Sequence, residues 1–197
     1  DGPSLEAEIQ RARRFHWQEV SQIGIQMSRA LKHAHDHGVI HRDIKPANLL
    51  MARSGETKLS DFGIAKLFGS TGMTADGGVL GTAEYMAPEQ ADGRPVTHRS
   101  DLYSLGGVLY ALLAGRPPFR AKNIPEMLQL QRFAEPENVR RFCSDVPQEL
   151  ADIVMQLLEK DPEKRGISAM LLARRLEAME HGLSARRQDT GAGESSA

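Results

Sequence analysis

The sequence predicts a mainly α-helical domain with a small β patch. Four stretches carry apolar residues at helical spacing, whereas the strand-like runs are short and confined to residues 39–60. A length of 197 residues with 40% hydrophobic and 26% charged content is that of one globular domain, neither a fibre nor a disordered chain.

The helices justify themselves in order. From residue 17 to about residue 37, Val20, Ile23, Met27, Leu31 and Ala34 form one apolar stripe, and Gly38 supplies a stop. Short apolar pieces then follow at residues 39–40, 49–51 and 57–59, separated by turn residues that include Ser54-Gly55. Between residues 63 and 87 no period holds, and Gly, Ser and Thr mark a long functional loop. Residues 98–114 carry Leu102, Leu105, Leu109 and Leu112 on one face and Val108, Tyr110, Ala111 and Leu113 on the others. A helix apolar nearly all round belongs at the centre of a domain. Residues 148–160 and 168–179 give two further amphipathic patterns, the second with Ser168 as a cap. After His181 the composition turns to Gly, Ser, Ala, Arg and Asp, which reads as a disordered tail over residues 181–197.

Charge and cysteine content exclude several functions. A net charge of −1 gives no general basis for nucleic-acid binding or for a polybasic membrane surface. Cys143 is the only cysteine, so neither an internal disulfide nor a multi-cysteine zinc site can form, and a reducing, cytoplasmic setting is expected. The longest uncharged apolar run, residues 105–115, is roughly half of a bilayer span. The first residues, Asp-Gly-Pro, lack the basic-then-apolar pattern of a signal peptide. His33, His35, His37 and His41 invite a metal reading, but alternate spacing is poor ligand geometry on a helix, where i and i+4 share a face.

Chemistry concentrates in His41-Arg42-Asp43-Ile44-Lys45-Pro46-Ala47-Asn48. A His-Arg-Asp triplet alone is an ordinary solvated turn. Here Asp43 and Asn48 stand five apart, Asp61-Phe62-Gly63 follows a short hairpin, and Ala87-Pro88-Glu89 closes the long loop. These resemble the catalytic-loop, metal-loop and segment-end motifs of the protein kinases, in the family's order. The resemblance covers residues 1–180 and implies the large, C-terminal lobe of a kinase, of a bacterial serine/threonine type.

By that resemblance the function is transfer of the ATP γ-phosphoryl group to Ser or Thr hydroxyls of proteins, with ATP and Mg²⁺ as cofactors. Such a reaction needs in-line oxygens and neutralised phosphate charge, and little covalent work from the protein. Asp43 would take or orient the hydroxyl proton, and Lys45 would set a positive charge beside the phosphoryl group. Asn48 and Asp61 would supply oxygens to magnesium, the ligand type that ion prefers. Leu50 would form the floor beneath the adenine. Lys45 at its position resembles the serine/threonine class rather than the tyrosine class.

A second set is implied as structural. Gly81-Thr82-Ala83-Glu84-Tyr85-Met86 leads into Ala87-Pro88-Glu89. Thr82 would bridge Asp43 and Lys45, Glu89 would pair with Arg165, and Asp101 would hold the catalytic-loop backbone. His41 would pack under Phe62, and Gly63 completes that motif. The 115–119 turn, Gly-Arg-Pro-Pro-Phe, also matches the family. Arg42 and Lys66 would form a basic pocket for a phosphorylated residue of the loop. The acceptors available are Ser70, Thr71 and Thr74; Gly78 occupies the position that is often threonine in relatives, and Thr74 is the preferred site.

The family's small lobe carries a Gly-rich loop, a strand Lys and a helix Glu, and no G-x-G-x-x-G occurs in these residues. The sequence therefore reads as a large lobe without its N-terminal β-rich lobe, with a missing lobe or a docking partner to complete it. A non-catalytic kinase-like interaction module is the alternative reading. A small-molecule phosphotransferase of related fold is a third, and it does not call for the peptide-docking stretch from Gly81 to Glu89. Protein substrates are the expected partners, with no nucleic acid and no membrane segment.

Overall fold

The computed structural model describes residues 2–61, 78–166 and 168–193. Ser4 starts the first helix, α1 (Leu5–Gln10), its hydroxyl accepting the Ala7 N–H at 3.2 Å. The long helix α2 (Trp17–Asp36) buries Val20, Ile23, Met27 and Leu31, and the chain leaves it through Gly38 at φ 72°. A single turn of 3-10 helix at Pro46–Asn48 leads into β1 (Leu49–Met51). β1 pairs antiparallel with β2 (Thr57–Leu59), setting Leu49 opposite Leu59 and Met51 opposite Thr57. Then come α3 (Gly78–Ala83), α4 (Pro88–Ala91), α5 (His98–Ala114), α6 (Ile124–Phe133), α7 (Gln148–Leu157) and α8 (Ala169–Gly193).

α5 is the axis of the molecule. Every residue from Ser100 to Ala114 is buried. Thr97 opens the helix: its hydroxyl accepts the Arg99 N–H at 3.2 Å while its own N–H donates to Ser100 Oγ at 3.1 Å. Gly115 closes it in the left-handed region at φ 68°, donating its N–H to Ala111. α2 and α7 pack on either side, and α8 lies across α2. One core runs from Leu5 and Leu49 through Leu105 and Leu109 to Leu150 and Leu176.

Three expectations differ from what is observed. Residues 39–40 are not a strand. Val39 is 40% exposed, and its N–H is spent on the Ala34 carbonyl, closing α2. The stretch between residues 63 and 87 is not all loop, since α3 occupies its end. α8 continues past His181 to Gly193, where the sequence read as a tail; Leu183 is partly buried against the core, and Ala, Arg and Gln in that stretch are good helix formers. No helix among the described residues is long and apolar enough to cross a membrane.

Candidate active site

The site is built around a backbone turn held from below. Asp101, in the first turn of α5 and 1% exposed, accepts the His41 N–H on Oδ2 and the Arg42 N–H on Oδ1, both at 2.9 Å. His35, reaching across from α2, contacts Oδ2 at 2.8 Å. Arg42 sits in the left-handed region at φ 68°, a conformation that costs a side-chain-bearing residue about 1–2 kcal/mol. The turn is clamped from the other side too, because Gln90 Nε2 donates to the Arg42 carbonyl at 3.0 Å. Strain held by over-determined hydrogen bonds of this kind clusters at functional sites.

His41 is fully buried and serves as a strut. Its Nδ1 accepts the Asp43 N–H at 3.3 Å, so the ring hydrogen falls on Nε2, which donates to the Ser60 carbonyl at 3.0 Å. This joins the His41–Asp43 turn to the residue preceding Asp61. His35, His37 and His41 thus spend ring nitrogens on Asp101, the His33 carbonyl and Ser60.

Above the turn, polar side chains converge. Lys45 Nζ lies 3.2 Å from Asp43 Oδ2 and donates to Thr82 Oγ1 at 2.8 Å. Asn48 Nδ2 donates to the Asp43 carbonyl at 2.8 Å and approaches its carboxylate Oδ2 at 3.3 Å. Ser60 supplies the link onward, with Oγ 3.2 Å from the Asn48 carbonyl and 3.1 Å from Asp61 Oδ2. Asp61 itself is exposed and left-handed, at φ 55°. Asp43, Lys45, Asn48, Asp61 and Thr82 therefore share one small neighbourhood. Leu50 lies in the middle of β1, half-buried and bridged to Ser4. Phe62, Gly63, Lys66 and Thr74 lie outside the described residues.

The donor chemistry fits a magnesium ion. Fixing the Asn48 amide nitrogen on Asp43 turns its other atom, the carbonyl-type Oδ1, toward acceptor duty, and Asp61 adds a carboxylate. Two oxygen ligands plus phosphate oxygens and water is how Mg²⁺ is usually held, rather than in an all-protein cage. Among the described residues no group of three His, Cys, Asp or Glu side chains could enclose a metal by itself.

A second buried centre fixes the segment that ends in Glu89. Arg165 has no exposure and Glu89 has 3%. They pair through two parallel bonds of 2.7 and 2.8 Å. The remaining Arg165 donors reach the carbonyls of Glu159, Arg99 and Lys160, so all five N–H groups are used. Ser100 donates to Glu89 Oε1 at 2.6 Å. Burial alone raises the Glu89 pKa, but the Arg165 and Ser100 hydrogen bonds and the Arg165 charge outweigh it and hold the carboxyl below its ordinary range.

Sequence reasoning had no signal for Ser60 or Gln90, whose roles rest on contacts made across the fold. Nor did it find the network under α3. There Gln131 donates to the carbonyls of Ala83 and Glu84, Tyr103 donates to Gln131, and Lys160 Nζ caps the Gln131 carbonyl at 2.9 Å. Burial and the nearby Arg165 charge pull Lys160 down to about 8.

Comparisons with known proteins point to one family. A model of the protein kinase domain matches residues 1–176. A probable serine/threonine-protein kinase of Streptomyces coelicolor is 40% identical over 171 residues, covering 86% of this chain and 25% of that protein. The serine/threonine-protein kinase PknB of Mycolicibacterium smegmatis is 45% identical over 139 residues, covering 69% of this chain and 22% of the other. The serine/threonine-protein kinase PrkC of Bacillus subtilis is 38% identical over 165 residues, covering 84% and 26%. The chain spans about a quarter of the length of these curated relatives.

Proposed function

The chain belongs to the protein kinase family, and from that premise we propose that it is the large lobe of a serine/threonine protein kinase using ATP and Mg²⁺. The observation that carries the proposal is the placement of Lys45 Nζ between the Asp43 carboxylate and the Thr82 hydroxyl, with the Asn48 amide anchored on Asp43. In the reaction, a substrate Ser or Thr oxygen bonds to the γ-phosphorus, the bond from that phosphorus to the β–γ bridging oxygen breaks, and ADP leaves. Asp43 holds the hydroxyl in line and receives its proton. Lys45 offsets charge on the transferring group, and Thr82 fixes the Lys45 ammonium. Asn48 and Asp61 would hold magnesium, which would neutralise phosphate charge. Leu50 supports the adenine. Most of the acceleration in such chemistry is positioning and electrostatic stabilisation.

A β-rich lobe with a phosphate-covering loop, or a docking partner, completes the nucleotide pocket from above. We place the reaction in the cytoplasm, which supplies ATP. For regulation, Thr74 is the proposed acceptor of an activating phosphate, held by Arg42 and Lys66. Mass spectrometry after incubation with ATP and an active relative reads it, and an unmodified Thr74 rejects it.

The central test is radiolabel transfer from ATP to a generic Ser/Thr protein, comparing this chain with its Asp43→Asn variant. Loss of a general base lowers the rate about 10²–10⁴-fold. Equal labelling by the two proteins overturns the proposal and leaves a non-catalytic interaction module.

A further inference from the structure

Away from the catalytic turn, the link between α1 and α2 meets the end of α5 in a basic cleft of about 270 Å³. Its walls carry four arginines, Arg13, Arg14, Arg116 and Arg120, over an apolar floor that includes Ile9 and Leu112. Among the described residues no carboxylate lines it. Arg13 is neutralised by Glu8 at 3.1 Å and Glu19 at 2.5 Å. Among the described residues the other three make no ion pair. Arg116 stacks on the Phe142 ring at 4.8 Å, and its Nε is buried without a hydrogen-bond partner. A buried guanidinium nitrogen left unsatisfied is costly unless a ligand satisfies it. Arg14 Nη1 stands over Gly115, where a Cβ would meet it at 3.3 Å, so two cationic side chains and a glycine face one space.

The cleft and the cavity beside Asp43 are both lined by α5, through Ala111 and Ser104 respectively. Tyr85 and Asp43 line the same small cavity, and Tyr85 packs against α5 at Gly107. From Gly107 to the α5 residues that line the basic cleft is one to two helical turns, about 6–10 Å. Arg120 acts electrostatically on Glu84, which lies two residues beyond Thr82. An extended peptide advances about 3.3 Å per residue, so that axial separation corresponds to about two to three residues of an extended substrate.

We propose that this cleft selects protein substrates with an acidic side chain, glutamate, aspartate or a phosphorylated residue, within about five residues of the Ser or Thr acceptor. The proposal rests on the kinase reading and names its substrate class. Guanidinium forks match carboxylate and phosphate oxygens in paired fashion, and three that make no ion pair in a recess repel basic peptides by the same field.

The experiment is equilibrium binding to the full chain, by fluorescence anisotropy without nucleotide. The labelled probes are Ser-containing peptides that differ only in carrying Glu, Ala or Lys at the flanking positions. The Glu peptide is expected to bind at least ten times tighter than the Lys peptide, with the difference shrinking as salt rises. Arg14→Glu or Arg120→Glu should abolish the preference, whereas Arg29→Glu, which pairs with Glu177 of α8 and does not line the cleft, should leave it. Arg14→Gln and Arg120→Gln provide the same reading without reversing charge. Equal binding of the three peptides, or a preference unchanged in the cleft variants, overturns the proposal. A negative result here leaves phosphoryl transfer, read by the Asp43→Asn comparison, untouched.

Discussion

Arg165 shows what a single side chain can carry. Its guanidinium has no water to fall back on, and the structure gives each donor a protein acceptor. Truncating one partner of such a pair strands the other charge in the core. Arg165→Met is therefore expected to lower unfolding stability by about 3–5 kcal/mol in urea, and Glu89→Leu added to it to recover most of the loss. A double variant as unstable as the single one contradicts this. The pair also has a pH signature. Because the Glu89 carboxyl titrates below its ordinary value of 4.5 in the folded chain, its stabilisation is complete above that value and is lost as pH falls through the lower, folded one. Cys143, by contrast, is chemically quiet: burial and the Asp145 carboxylate push its thiol up to about 11.

At the scale of elements, close approach decides which substitutions the helices accept. A Cβ on Gly106 would meet Leu157 Cβ at 2.6 Å, an atom fixed to the α7 backbone. Gly24 would instead meet Leu176 Cδ1 at 2.9 Å, the far end of a flexible side chain. Gly106→Ala is expected to cost about 1–3 kcal/mol as α7 is pushed from α5. Gly24→Ala should fall within about 1 kcal/mol of the parent, because alanine's helix propensity offsets the crowding. Urea denaturation of both measures the contrast, and equal losses refute it. The same scale shows what was legible beforehand. α2, α5 and α7 declare themselves because their apolar spacing records which faces are buried. α1 and α6 are short and half-exposed, with Leu5 and then Met127 and Gln131 as their buried residues, so their periodicity is faint. Residues 39–40 look like a strand only because two β-branched residues are adjacent, and one α2 carbonyl decides otherwise. Asp43, Asn48 and Asp61 are legible through motif order, whereas Ser60, Gln90 and the Arg14–Arg116–Arg120 cleft come from distant segments and leave no local trace.

For the molecule as a whole, the main core reaches from α1 to α8, and only a small satellite of Ala83, Phe119 and Met127 stands beside it under α3 and α6. Unfolding is expected to be a single cooperative transition. Trp17, the sole tryptophan and buried at the start of α2, reports tertiary packing, while far-ultraviolet circular dichroism reports helix. Their urea midpoints should coincide, and two separated transitions would show independent parts.

The opening turn of α5 gathers both anchor points within two neighbouring residues. Ser100 reaches the Glu89 carboxylate, and Asp101 grips the His41 and Arg42 amides beneath Asp43 and Lys45. Any rotation of that helix about its axis would drag both attachments together. The Glu89 segment and the His41–Arg42 turn therefore hang from one hinge-pin, and displacing α5 is expected to shift them together rather than one at a time.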